Sequence, residues 1–241
     1  MIVLKILEIV GTIAFAISGA FVAIKAKLDL FGVLFIGTIT AVGGGIVRDL
    51  LIGATPPAIF SNAHVVLVAL GASALVFVLA YIKRKDFDAI QKKVEYVNTF
   101  FDAVGLGAFT VMGTEVAFVN GLSGNAFLAI ALGMLTGVGG GIFRDVLTDT
   151  TPYIFKKHVY ALASIGGTLL YFGLRFVFAD VVAPTLLGMA FVLIIRMLAT
   201  KYRWSLPKIQ FESAVQTVPP AVTTTDIAQT ESVNQTNKKA S

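Results

Sequence analysis

The sequence predicts an all-α, polytopic membrane protein, with seven transmembrane helices arranged as two inverted three-helix repeats plus one further helix. Three observations predict it. The 241-residue chain is 56% hydrophobic and only 14% charged, with a mean hydropathy of +0.85, which is too apolar for a water-soluble chain of that length. Seven apolar runs have the length that a bilayer core demands. One string, Gly43-Gly44-Gly45-Ile46-Val47-Arg48-Asp49, returns 96 residues later as Gly139-Gly140-Gly141-Ile142-Phe143-Arg144-Asp145, inside another such run.

The runs occupy residues 2–24, 30–52, 63–82, 98–119, 125–147, 158–178 and 181–199. The first contains Lys5 and Glu8 but has neither a basic leader nor a small-residue cleavage site, so it reads as a retained helix and not as a signal peptide. The second and fifth carry the repeated string. The third and sixth open on His64 and His158, placed as capping or interfacial residues. The fourth begins amphipathically near Asp102 and ends near Glu115, and these two carboxylates are further candidates for the pathway. The last two runs are separated by Ala179, Asp180 and Pro184. After Pro207 the chain is rich in Thr, Gln, Asn, Ser and Val, which predicts a disordered tail. The expected organisation is a first three-helix repeat at 1–90, a second, inverted one at 91–180, a seventh helix at 181–204 and the tail at 205–241.

The duplication extends beyond the motif. Gly19-Ala20-Phe21 is matched to Gly107-Ala108-Phe109, and His64-Val65 to His158-Val159. A three-helix unit is odd, so a second copy must enter the membrane from the opposite side, which makes the repeat inverted. Lys25, Lys27, Lys83, Arg84, Lys85, Lys92, Lys93, Lys156, Lys157, Lys201, Arg203 and Lys208 all fall on one side of the predicted spans. By the positive-inside rule that side is cytoplasmic, with the amino terminus outside and the tail inside.

Gly37, Ala41 and Gly45 recur every fourth residue, as do Gly133, Gly137 and Gly141, giving each of the two helices a face where a neighbour's backbone can approach. Packing alone does not require three successive glycines. The triplets Gly43-Gly44-Gly45 and Gly139-Gly140-Gly141 are therefore expected to bend the helix or open its hydrogen-bond ladder. A charged side chain within the bilayer costs about 2.5 to 3.5 kcal/mol, so Arg48, Asp49, Arg144 and Asp145 must be paired or face water. Adjacent helical residues point about 100° apart, so Arg48 is not required to bond Asp49. Two readings stand for the arginine-aspartate pairs: they tie neighbouring helices together near a helix end, or they line a pathway and set its field.

Several classes are excluded or disfavoured. Cysteine is absent, so there is neither a disulfide framework nor a thiolate metal site. The net charge of +5 lies in short clusters between apolar runs, which indicates membrane orientation and not nucleic acid. No HExxH, GxSxG or Cys/His pattern points to an enzyme, and Gly137-Val138-Gly139 is followed at 142 by Ile142, so a dinucleotide fingerprint fails. No cofactor is expected.

At GGGIVRDLL, followed by Thr55-Pro56, and GVGGGIFRDVL, followed by Thr151-Pro152, the chain resembles the trimeric intracellular cation channel family in its bacterial branch. That branch overlaps membrane proteins described as glycine transporters. The resemblance covers about residues 1–200. It implies a homotrimer in the bacterial inner (plasma) membrane, in contact with lipid, in which each subunit holds its own pore for potassium or sodium ions. The two glycine-bent helices would line that pore, with a transient monovalent cation as its only metal. The lysine-containing motif of animal members is not matched, since the corresponding stretch reads Gly113-Thr114-Glu115-Val116, so phosphoinositide regulation does not carry over. Arginines alone would favour anions, so cation preference would need Asp49, Asp145 or carbonyl oxygens to dominate. The rival reading is a secondary transporter of a small amino acid such as glycine, because inverted repeats with broken helices also build carriers.

Overall fold

The computed structural model describes residues 2–83, 91–156 and 159–204; the expectations for His158, for Lys157 and for the tail lie outside them. Its elements are α1 (Ile2–Lys25), α2 (Leu30–Leu51), a 3-10 turn (Ala58–Phe60), α3 (Ala63–Ile82), α4 (Gln91–Val119), α5 (Ala126–Leu147), the short α6 (Tyr153–Lys156), α7 (Val159–Val177) and α8 (Val182–Lys201). Seven of these, all but the 3-10 turn and α6, are long and apolar enough to cross a membrane, α4 over Glu95–Val119. They follow the seven apolar runs. The main departure is α4, which begins at Gln91 and not near 98. Gln91, Lys92, Lys93 and Glu95 are good helix formers that hydrocarbon would exclude, so the helix extends past its spanning part.

Many large apolar side chains lie outside, and the interior combines Phe15, Leu106 and Leu132 with small or hydroxylated residues. Leu67, Leu75 and Leu79 of α3 and Phe31 and Phe35 of α2 are exposed, whereas Thr12, Ser18, Thr40, Ser73, Thr110, Thr136 and Ser164 are buried. Three of these inner hydroxyls are satisfied within their own helix. Thr40 donates to the Ile36 carbonyl and Thr136 to the Leu132 carbonyl, each at 2.6 Å, and Ser73 donates to Ala69 at 2.8 Å. The two string-bearing helices start alike as well. Asp29 Oδ1 accepts from the Gly32 amide at 2.8 Å and Asn125 Oδ1 from the Leu128 amide at 3.0 Å, capping α2 and α5. Asp29→Ala or Asn125→Ala is expected to lower stability by about 1 kcal/mol, read as an earlier thermal transition of the purified protein.

α3 packs on α1 and α2, while α8 packs on α4 and α7. Between these groups the corresponding helices face one another, α1 on α4 and α2 on α5. The α2–α5 crossing is fixed by backbone approach. A Cβ on Gly44 would strike the Thr136 carbonyl, and one on Gly140 would strike the Thr40 carbonyl. Because the higher residue of each helix meets the lower residue of the other, α2 and α5 run in opposite directions. The same exchange occurs between α1 and α4, where Gly105 faces Phe15 and Gly11 faces Ala108 and Phe109. The Phe15 and Phe109 ring centroids lie 5.3 Å apart.

These contacts correct the register read for the first helix of each half. Gly19 packs against Thr40 and Gly37, and the residue that packs in the same way against Thr136 and Leu132 is Gly113, not Gly107. Gly107 instead faces Met189 of α8. The matching sets are therefore Gly11, Phe15, Gly19 and Gly105, Phe109, Gly113. A Gly-Ala-Phe string recurs easily in apolar helices, and only the packing distinguishes the aligned copy from the accidental one.

Candidate functional site

Each glycine of the triplets has its own neighbour. Both triplets lie within unbroken α-helix, so the expected opening of the hydrogen-bond ladder is not what the glycines serve. Gly44 and Gly140 make the helix crossing described above. Gly139 lies against Gly44, where a Cβ would come within 3.0 Å of the Gly44 Cα, while Gly43 carries the ring of Phe143 at 2.7 Å from its Cβ position. Gly45 and Gly141 seat the arginines. The Nη2 of Arg48 lies 3.8 Å from the Cβ position of Gly45, and that of Arg144 lies 3.7 Å from the Cβ position of Gly141. The guanidinium three residues later thus folds back over a bare Cα.

In that folded-back conformation each arginine bonds the aspartate beside it, a contact that helical angles alone did not require. Arg48 donates from Nε at 2.9 Å and from Nη2 at 2.7 Å to Asp49 Oδ1, and Arg144 donates from Nε to Asp145 Oδ1 at 2.8 Å. A long side chain reaches back where two short ones could not. The other aspartate oxygen holds the segment beyond the helix. Asp49 Oδ2 accepts from the Ala58 amide at 2.9 Å, at the 3-10 turn, and Asp145 Oδ2 accepts from the Tyr153 amide at 2.8 Å, at α6. Each motif therefore couples a helix crossing, a guanidinium and the following loop.

The surroundings of the two arginines differ. Arg48 and Asp49 border a cavity of about 50 Å³ that is also lined by Glu8, Thr12, Asn62 and Met112. Arg144 is fully buried: its Nη1 donates to Asp102 Oδ1 and to Ser18 Oγ, both at 2.7 Å. Arg196 of α8 completes the cluster, with Nη2 3.6 Å from Asp102 Oδ2 and its guanidinium 4.5 Å above the Tyr160 ring. The Arg144 guanidinium stands 5.2 Å over the Tyr153 ring. Burial pushes the Tyr153 phenol above its ordinary pKa of 10.0, against the opposing pull of Arg144, so the hydroxyl stays protonated at physiological pH. Two guanidinium groups and the carboxylates of Asp102 and Asp145 thus bring formal charges that cancel.

The structure brings Asp102 into the arginine site but places Glu115 elsewhere. Glu115 accepts from Tyr171 at 2.8 Å and from Arg175 Nε at 2.9 Å, tying α4 to α7. His64 is exposed at the start of α3. Among the described residues no group of three His, Asp or Glu side chains is placed to hold a metal ion. Arg196, Tyr160, Ser18 and Glu8 were not singled out as site residues from the sequence. Arg196 carried a usable signal, since it is a lone ionisable residue inside an apolar run. Glu8 and Asp102 become visible as counterparts only in the corrected register.

The profile of the family described as "Glycine transporter" matches the chain twice, over residues 5–81 and 99–175. The UPF0126 inner membrane protein YadS of Escherichia coli K12 is 37% identical over 202 residues, covering 83% of this chain and 93% of that one. The UPF0126 membrane protein YvgT of Bacillus subtilis 168 is 33% identical over 216 residues, covering 86% and 96%. Solved structures are similar too. A channel from work on conductance through TRIC cation channels gives a TM-score of 0.73 at 34% identity, over 87% of this chain and 98% of that one. The trimeric intracellular cation channel orthologue from Rhodobacter sphaeroides gives 0.75 at 30% identity, over 85% and all of its own length (100%).

Proposed function

We propose a function from one premise: the chain belongs to the trimeric intracellular cation channel family, in the bacterial branch whose matching profile is described as a glycine transporter. It is an integral membrane protein, and its structural neighbours are channels and not enzymes. On that basis the protein is a monovalent cation channel of the potassium type, assembled as a homotrimer with one pore inside each subunit. The pore passes the α2–α5 crossing, with Gly43, Gly44, Gly45, Arg48 and Asp49 on one side and Gly139, Gly140, Gly141, Arg144 and Asp145 on the other. The two halves, 1–90 and 91–180, are inverted repeats, followed by the seventh helix at 181–204 and a cytoplasmic tail, with the amino terminus outside.

The observation that carries this reading is the opposed crossing. Two helices running in opposite directions meet backbone to backbone at their glycines, and each places a guanidinium-carboxylate pair beyond the contact. Such charge is tolerated inside a membrane where it is paired or borders water. The test is the purified protein in a planar bilayer under a potassium chloride gradient. Unitary ohmic currents that reverse toward the potassium equilibrium potential are expected; reversal toward the chloride potential would refute cation selectivity.

A second reading has one observation in its favour besides the family description. The cavity at Arg48 combines a guanidinium with the Glu8 carboxylate, the pair of charges that a zwitterionic amino acid would complement. Saturable, gradient-coupled glycine uptake without unitary currents would establish that carrier instead.

A further inference from the structure

We propose that Arg196 is a specificity-determining residue: by balancing Asp102 it sets the net charge of the buried site on the α5 side, and so how strongly the path prefers cations to anions. The inference rests on the channel reading above. α8 lies outside both segments that match the family profile, so its arginine has no counterpart in the first half. Yet Arg196 is only 1% exposed, and its guanidinium lies between Asp102 and the Tyr160 ring. An ionised side chain buried in a membrane protein is retained where it has a task.

Unsatisfied atoms mark the position. Among the described residues, Arg196 Nε and Nη2, Arg144 Nη2, Asp102 Oδ2 and the Tyr160 hydroxyl are all buried without a hydrogen-bond partner. Two of them converge over Gly141, whose Cβ position is 3.0 Å from the Tyr160 hydroxyl and 3.7 Å from Arg144 Nη2. Buried polar atoms are almost always paired, so a group of them in one place belongs where water completes the set. A dry structural tie would have used its donors.

The balance of charge then gives Arg196 its effect. On the α2 side, Arg48 meets Asp49 and the cavity adds Glu8, a net formal charge of −1. On the α5 side, Arg144 pairs with Asp102 and Asp145, and without Arg196 this site would carry the same charge of −1. Arg196 neutralises it. The seventh helix thus makes the two ends of the path electrically unequal, and the site moderates cation preference instead of maximising it.

The experiment uses the full chain in planar bilayers under a potassium chloride gradient, with Arg196→Gln, Arg196→Lys, Asp102→Asn and the Arg196→Gln/Asp102→Asn pair. Arg196→Gln should raise the potassium-to-chloride permeability ratio by roughly threefold or more, and Asp102→Asn should lower it by a similar factor, as expected for one unit charge acting about 10 Å away. The paired variant, neutral again, should return near the wild-type ratio, and Arg196→Lys should hold it. A role confined to tying α8 in place would alter protein yield or open probability and leave the reversal potential unmoved. Wild-type currents with unshifted or same-signed changes in both single variants overturn the proposal while leaving the channel reading intact. Absence of wild-type currents refutes the channel reading itself. Should Arg196→Gln fail to fold, a lowered ratio in Asp102→Asn with an unchanged one in Arg196→Lys supports the proposal, and an unmoved ratio in Asp102→Asn overturns it.

Discussion

Gly44→Ala and Gly140→Ala are each expected to destabilise the protein by about 3 kcal/mol or more, enough to remove most of the folded species from a detergent extract. The obstacle in each case is a main-chain carbonyl of the opposing helix, Thr136 for Gly44 and Thr40 for Gly140. No rotamer change can relieve such a contact, so the helices must separate. Separation would also disturb the neighbouring approach of Gly139 to Gly44 and of Phe143 to Gly43. Gly45→Ala provides the control within the same triplet, because its Cβ would meet only the end of the Arg48 side chain at 3.8 Å. There the new methyl group is accommodated, and the gain in helix propensity of about 1 kcal/mol offsets any shift of the guanidinium. Heating the detergent-purified variants in steps and measuring the folded fraction by size-exclusion chromatography separates the two outcomes. Equal losses at Gly44 and Gly45 would show that glycine flexibility, and not the crossing, is what the triplet supplies.

This contrast also shows what could be read from residues alone. Apolar run length located seven spans, because in a bilayer the hydrocarbon thickness and the helical rise leave little freedom. It could not locate the polar start of α4, where no such limit acts. The glycines were recognisable as unusual, but a triplet is compatible with a hinge or with a close crossing, and the choice depends on whether a neighbouring backbone is present. Gly19 was matched to Gly107 because composition repeats more easily than contact does; the partners Thr40 and Thr136 identify Gly113. Arg196 was passed over for a related reason. An arginine a turn and a half from the end of α8 reads as one that reaches the interface, and nothing in its own helix announces the buried Asp102 on α4.

Arg144→Met is expected to cost about 3 to 5 kcal/mol, whereas Arg48→Met is expected to cost only about 1 kcal/mol, although the two arginines occupy matching positions. The difference follows from their surroundings. Arg144 has no exposed side-chain surface, and it is the shared donor to Asp145, Asp102 and Ser18. Removing it leaves two buried carboxylates facing one remaining guanidinium, that of Arg196, which stands 3.6 Å from Asp102 and makes no hydrogen bond to it. Among the described residues Arg48 pairs with Asp49 alone, and it keeps 13% of its side chain exposed and borders a cavity, so its loss leaves a carboxylate that still accepts from the Ala58 amide and can be hydrated. The comparison is read from thermal transitions of the two variants. A double-mutant cycle of Arg144→Met with Asp102→Asn should show coupling of at least about 1 kcal/mol, because neutralising the second charge removes part of the penalty created by the first. Equal destabilisation by Arg48→Met and Arg144→Met would mean that the two sites are energetically alike, and the electrical inequality assigned to the ends of the path would lose its foundation.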